Sequence, residues 1–154
     1  MSYSSQKMTE QAAKEILSWT YLPPYELYNS EVTEEALQEF AENPYFAIYV
    51  EEALVGFYCT GYAAQVPFGY FFQAYPEGYL DIGLGMRPDL TGQGQGTGFL
   101  QFIIDSVETN QALRLTVTAF NKRAIALYKK FGFRQVSAFT NANDLEFWVM
   151  TREG

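Results

Sequence analysis

The run from Asp81 to Gly98, Asp-Ile-Gly-Leu-Gly-Met-Arg-Pro-Asp-Leu-Thr-Gly-Gln-Gly-Gln-Gly-Thr-Gly, holds the residue types best placed to do chemistry. An extended segment ends at Pro88, glycines follow at the alternate positions 92, 94, 96 and 98, and an apolar-periodic segment opens near Thr97. Strand, glycine turn and helix in that order place unobstructed backbone N–H groups at a helix N-terminus. Orphan N–H groups and the helix dipole both favour negative charge, so the turn suits the phosphates of a nucleotide-like cofactor. Two common phosphate binders are excluded by spacing. No lysine lies between Lys14 and Lys122 to close a Walker loop, and glycines spaced strictly by twos do not fit Gly-x-Gly-x-x-Gly.

A second motif runs from Val117 to Phe133. A β-branched strand reaches Asn121, a sound helix cap, and Ala124, Leu127, Tyr128 and Phe131 then recur at helical spacing until Gly132 ends the helix. The two halves, Pro88-x-x-Thr91-Gly92-x-Gly94-x-Gly96 and Asn121-x-x-Ala124-x-x-x-Tyr128-x-x-x-Gly132-Phe133, together resemble the GNAT superfamily of acetyl-CoA-dependent N-acyltransferases. With the order of strands, the resemblance covers residues 45 to 151, and the pair is far more specific than either half. The first half departs once: the family usually has Arg or Gln where this chain has Thr91, which leaves pyrophosphate binding there to backbone donors.

The resemblance implies an α/β (α+β) fold, a mixed and mostly antiparallel sheet of about six or seven strands flanked by about four helices. Two central strands splay in that fold and hold pantetheine. It also implies direct attack of an acceptor amine on the thioester of acetyl-CoA in a ternary complex. The cofactor-binding residues it points to are Leu84, Gly85 and Met86, the turn Thr91, Gly92, Gln93, Gly94, Gln95, Gly96 and Thr97, and Asn121, Ala124 and Tyr128. Backbone N–H groups around Leu84 to Met86 would polarise the carbonyl like an oxyanion hole, and Tyr128 would serve the departing thiolate as the family's acid. On the residues alone, Tyr128 reads equally as an aromatic on the buried stripe of its helix.

The acceptor amine must be neutral to attack, and a lysine-like amine is so only to roughly 0.04% at pH 7. The chain has no histidine, the usual base. Asp81, on a strand beside glycines, is the first candidate for the base; a hydrogen-bonding carboxylate at a strand end is the competing reading. Glu26 and Glu77 are weaker alternatives. Tyr25, Glu26 and Tyr28, with Tyr21, form a candidate acceptor pocket or else a proline-rich turn packed by its own aromatics. Lys122, Arg123, Lys129, Lys130 and Arg134 cluster within thirteen positions, as a solvated helix face or as an attractor for the outer phosphates of coenzyme A.

Bulk properties narrow the classes further. At 154 residues the chain reads as one domain over residues 1–154, and 48% apolar residues suffice for a core. A net charge of −8 argues against nucleic acid and suits a cationic small-molecule or peptide amine. No apolar run approaches a membrane span and the first residues lack a signal pattern, so no membrane association is expected. One cysteine, Cys59, reads as a buried hydrophobe and points to a cytoplasmic location; with no histidine, no metal site is expected. A homodimer is common in such families, and nothing in the chain decides it. A non-catalytic acyl-CoA-binding module, or a groove for another phosphate ligand, are the rival classes.

The elements that must position these residues follow from periodicity and caps. A strand is expected near Tyr3–Gln6, a helix from a Thr9 cap to about Trp19, and a second over Thr33–Glu42. A hairpin over 45–50 and 54–64 and a loop over 65–78 come next. Strand Tyr79–Met86 then shows Leu80, Ile82, Leu84 and Met86 on one face and Tyr79, Asp81, Gly83 and Gly85 on the other. Its glycines read as a close approach by a ligand or a bulge. A helix from Gly96 to about Glu108, strand Leu113–Ala119, the helix after Asn121 and strands over 134–140 and 145–151 complete the order.

Overall fold

The computed structural model describes residues 2–107 and 109–153. Seven strands and four α-helices follow in chain order: β1 Tyr3–Lys7, α1 Glu10–Leu17, α2 Glu34–Glu42, β2 Tyr45–Val50, β3 Ala53–Thr60, β4 Tyr79–Met86, α3 Gly96–Ser106, β5 Ala112–Thr118, α4 Lys122–Lys130, β6 Arg134–Thr140 and β7 Glu146–Arg152. The strands form a mixed sheet in the order β1-β2-β3-β4-β5-β7-β6. β4 and β5 run parallel, while β1 with β2, β2 with β3, β5 with β7 and β6 with β7 run antiparallel. The chain forms two compact units, Met1–Cys59 with Leu84–Ser106, and Thr60–Gly83 with Val107–Gly154; β4 passes from the second into the first.

Local chemistry sets the helix starts. Thr9 accepts from the Ala12 N–H at 3.1 Å, Thr33 from Ala36 at 3.1 Å, and Asn121 from Ala124 at 3.2 Å. On α1, Ala12, Ala13, Ile16 and Leu17 are all buried and pack with Trp19, Phe40, Ala47 and Leu54 as the core of the first unit. Expectation and structure part in three places. Segment 65–78 is not all loop, since Pro67–Phe72 winds into a 3-10 helix. β3 stops at Thr60, where Gly61–Ala64 forms another 3-10 turn. α3 ends at Ser106, and Glu108 lies outside the described residues. On α4 the stripe read from periodicity faces inward, with Tyr128 buried and Ala124, Leu127 and Phe131 half-buried, and Ile125 is buried beside it.

The glycines of β3 and β4 have a packing reason. A Cβ on Gly85 would stand 2.3 Å from the Phe57 ring, and one on Gly56 would stand 2.5 Å from the Phe99 ring and 2.6 Å from the Gly85 carbonyl oxygen. Gly85 therefore makes room for a neighbouring aromatic ring. A ring can shift, but a paired backbone carbonyl cannot. We expect Gly56→Ala to destabilise by about 1–3 kcal/mol through overpacking. Gly98 differs, because a Cβ there meets only Tyr3 at an ordinary 3.7 Å. Gly98→Ala should raise stability by up to about 1 kcal/mol from helix propensity. Paired thermal melts check both signs.

Candidate active site

In the first unit, the end of β4 leads into the glycine turn. Arg87 is spent on building it: its Nε and Nη2 donate to Asp89 at 2.7 and 3.3 Å, and its Nη1 to the Leu54 carbonyl at 3.1 Å. The hydrogen bond from Arg87 holds the Asp89 carboxyl below its ordinary range. Thr91 donates its hydroxyl to the Pro88 carbonyl at 2.7 Å, so its one O–H is unavailable to a phosphate. Gly92 and Gly94 adopt φ of +71° and +80°, a left-handed geometry that side chains resist. Gly94 faces open space, with nothing within 4 Å of the Cβ it lacks.

The start of α3 differs chemically from those of the other helices. Its backbone ladder opens with the Phe99 N–H donating to the Gln95 carbonyl at 3.1 Å, so the N–H groups of residues 96–98 precede it. Gln95 stands where a capping side chain would, and its Oε1 is buried without a hydrogen-bond partner. Turned over, that amide presents its NH2 instead. A left-handed glycine turn, open N–H groups and an orphan amide together make a seat for an anion.

The segment after α1 is fastened to the same strand end. The Tyr21 hydroxyl donates to the Met86 carbonyl at 2.8 Å, and the Tyr21 N–H donates to Asn29 Oδ1 at 2.6 Å. Tyr28 meets Tyr21 edge-on at 6.1 Å and stacks on Tyr25 at 6.3 Å. Burial, with a smaller contribution from Tyr28, pushes the Tyr21 phenol up to about 12, so it stays a donor at any ordinary pH. Glu26 is exposed in the 3-10 turn Glu26–Tyr28. Two of the candidate acceptor residues, Tyr28 and Tyr25, are thus joined to Met86 through Tyr21.

In the second unit, Asp81 and Arg114 are each 3% exposed. Arg114 Nε and Nη2 bind Asp81 Oδ1 and Oδ2, both at 2.8 Å, and Gln65 Nε2 donates to Oδ2 at 2.8 Å. Arg114 also donates to the Pro76 carbonyl at 2.6 Å and stands 5.1 Å from the ring centroids of Tyr75 and Tyr79. Both carboxylate oxygens are committed inside the protein. This geometry favours the structural reading of Asp81 over the base. Arg114 was the missed partner, and the signal was present: a charge inside the apolar strand Leu113–Val117 requires a buried counter-charge.

Tyr128 is 8% exposed, its ring edge-on to Phe133 at 6.0 Å. It shares α4 with Asn121, the N-cap, and with half-buried Ala124. Lys122, Arg123, Lys129, Lys130 and Arg134 are all exposed, with Lys129 Nζ 5.8 Å from the Trp148 ring centroid. Glu77 is exposed, and Cys59, in the first unit, is buried and forms no disulfide. Among the described residues no group of His, Cys, Asp or Glu could hold a metal ion, and no helix is long and apolar enough to cross a membrane.

The model of the acetyltransferase (GNAT) family matches residues 11–133. The chain belongs to that family. Its GNAT fold recurs in solved structures at low identity. A Vibrio cholerae spermidine N-acetyltransferase chimera superposes with a TM-score of 0.73 at 14% identity, covering 98% of this chain and 95% of that one. The ribosomal-protein-S18-alanine N-acetyltransferase of Escherichia coli gives 0.66 at 19%, covering 99% and 94%. The aminoglycoside acetyltransferase AAC(6')-Ib, in complex with ribostamycin and coenzyme A, gives 0.70 at 18%, covering 99% and 94%. No curated protein matches the chain at a significant level. As a GNAT protein the chain is an acyltransferase.

Asp81→Asn separates the two readings of that residue. Removing one partner of a buried pair costs about 3–5 kcal/mol, so chemical denaturation should show a loss of that size. A base would instead lose turnover while stability held.

Proposed function

We propose that this protein is an N-acetyltransferase that moves acetyl from acetyl-CoA to a primary amine by direct attack in a ternary complex. The observation that carries the reading is the start of α3, where left-handed Gly92 and Gly94 lead into Gln95, whose buried amide oxygen lacks a hydrogen-bond partner, beside the first N–H groups of the helix. The turn Thr91–Thr97 would bind the pyrophosphate through its backbone, with Gln93 and Gln95 as side-chain donors. Asn121 and Ala124 would meet the pantetheine arm. The N–H groups of Leu84, Gly85 and Met86 would polarise the acyl carbonyl, as fixed donors do where charge develops.

Tyr128 is the proposed acid toward the thiolate. Proton transfer from a phenol near 10 to a thiol near 8.5 is uphill by roughly 1.5 units, so a hydrogen bond that strengthens as charge builds on sulfur suffices. With Asp81 committed to Arg114, we assign the loss of the amine proton to water rather than to a buried carboxylate. Tyr25, Glu26 and Tyr28 would face the acceptor, Glu26 as the counter-charge to an ammonium. The structural neighbours act on spermidine, an aminoglycoside and a protein alanine, and the chemistry they share is a primary amine, which supports that class of acceptor here. We place the protein in the cytoplasm, consistent with a single cysteine that is buried.

A non-catalytic acyl-CoA-binding module is the second reading, favoured by the two side chains, Thr91 and Asp81, whose polar atoms are already engaged. Three measurements test the proposal. Acetyl-CoA at a hundred times its dissociation constant should add about 2.7 kcal/mol of stability, seen in thermal unfolding, while ATP and NAD leave it unchanged. No shift with acetyl-CoA overturns the reading. Tyr128→Phe should keep that shift and lower kcat by about 10²–10⁴-fold on a responsive amine. An intact shift with no turnover of any amine leaves the binding module. With no histidine in the chain, kcat/KM should climb about tenfold per pH unit from 7 toward the amine's own pKa. A limb near neutrality would restore a carboxylate base.

A further inference from the structure

We propose that the groove between α1 and α2 is a further binding site, separate from segment 21–29, for a small organic ammonium ion with an aromatic body. The proposal does not rest on the acyl-CoA reading, and its test uses no cofactor. The groove has a volume of about 270 Å³. Its most buried lining is Ala13, 1% exposed, and Phe40, 8% exposed, with half-buried Met8 and Leu37 and exposed Ala41 around them. Ala13 on α1 and Ala41 on α2 are small side chains on two helices that pack together, and the space a longer chain would fill stays open between them. A dry cavity of about 150 Å³ lined by aliphatic and aromatic side chains holds benzene. A ring therefore fits here, against that of Phe40.

Exposed Glu10 and Glu34, which also line the groove, decide the sign of its occupant. Glu10 shares its charge with Lys14 at 3.4 Å, whereas Glu34 has no ion-pair partner among the described residues. From Met8 to Glu52 the chain carries ten glutamates and one basic residue, Lys14. An anion is repelled by such a stretch. A metal ion finds no ligand set, since no group of His, Cys, Asp or Glu among the described residues could hold one. A bare polyamine meets the carboxylates and leaves the apolar lining in water. An ammonium on an aromatic body uses both, the ring leaving water against Phe40 and Leu37 and the charge lying at Glu34. A mostly apolar lining with a few placed polar groups is the usual make-up of a small-molecule site.

Backbone-amide NMR titration of the full chain tests this with three probes: 2-phenylethylammonium, its near-isosteric neutral alcohol 2-phenylethanol, and spermidine. The ammonium should move the amides of 8–13 and 37–41 to saturation. The alcohol should move the same amides with an affinity lower by about two- to fivefold, the worth of an exposed ion pair. Glu34→Gln should bring the ammonium down to the alcohol's affinity and leave the alcohol unchanged. Ala41→Leu, at an exposed helical position, should narrow the groove and weaken both. Spermidine should leave the amides of Ala13 and Phe40 unmoved. No saturable movement of 8–13 and 37–41 overturns the site, as does movement confined to 21–29. Equal affinity for ammonium and alcohol, or an ammonium response unchanged in Glu34→Gln, overturns the assigned charge. Spermidine matching the ammonium overturns the assigned body. The three probes on wild type decide the matter even if a variant fails to fold.

Discussion

A carboxylate and a guanidinium, each almost sealed from water, meet on the parallel pair β4–β5, and the second unit is organised around them. Burying either charge alone would cost several kcal/mol, and the pair is tolerable only because its remaining hydrogen-bonding capacity is met. Gln65 supplies a further donor to Asp81, the Pro76 carbonyl a further acceptor to Arg114, and Tyr75 and Tyr79 supply ring contacts with the guanidinium. Each of these partners except Tyr79 lies in segment 61–78, so the pair fixes that segment as well as the register Asp81 opposite Arg114. The same segment carries Tyr75, whose hydroxyl is within 2.8 Å of Thr116 Oγ1 and accepts from the Val66 N–H at 3.0 Å. The ion pair thus acts with the packing of Phe72 and Ala74 against Phe139 to order an irregular stretch with exposed Tyr62 and Phe71.

β4 changes character along its length. Its first residues carry the ion pair; its last carry Gly85 under the Phe57 ring and the Met86 carbonyl under Tyr21. Two kinds of restraint, electrostatic at one end and steric at the other, therefore act on one strand. That matters for a strand whose backbone N–H groups are proposed to do chemistry. Fixed donors stabilise developing charge well because they need not reorganise at the moment of reaction. A strand held by its neighbours meets that condition better than a loop would.

Features set within a few residues were readable from the sequence, and features set across the sheet were not. Thr9, Thr33 and Asn121 each cap a helix through the N–H three residues on, and all three helices begin where those residues predict. The bounds of β4 and the glycine turn after it were equally local. The packing at Gly85 was not readable, because the Phe57 ring that fills the space of its Cβ lies on another strand. Asp81 was ambiguous for the same cause: its partner lies 33 positions away. Segment 65–78, with its prolines and glycines, read as loop because the 3-10 turn of Pro67–Phe72 is fixed by packing of Phe72 on Phe139 at 6.0 Å and by burial of Ala74 beside Phe139 and Val149.

The acceptor chemistry proposed here faces opposed demands from one property, net charge. A chain at −8 attracts cations and so raises the local concentration of an ammonium acceptor. The same field raises the amine's pKa and opposes the proton loss that attack requires. A histidine could resolve the conflict by accepting the proton near neutrality, but this chain has none. Asp81, the carboxylate best placed by sequence, is already neutralised by Arg114. The way left is local: an uncharged aromatic surface such as Tyr25 and Tyr28 strips water from the acceptor, and desolvation lowers an amine's pKa as the field raises it. On this argument Glu26 would act in capture and the tyrosines in lowering the amine's pKa, with water taking the proton, and the balance between them would set how basic an amine the enzyme could use.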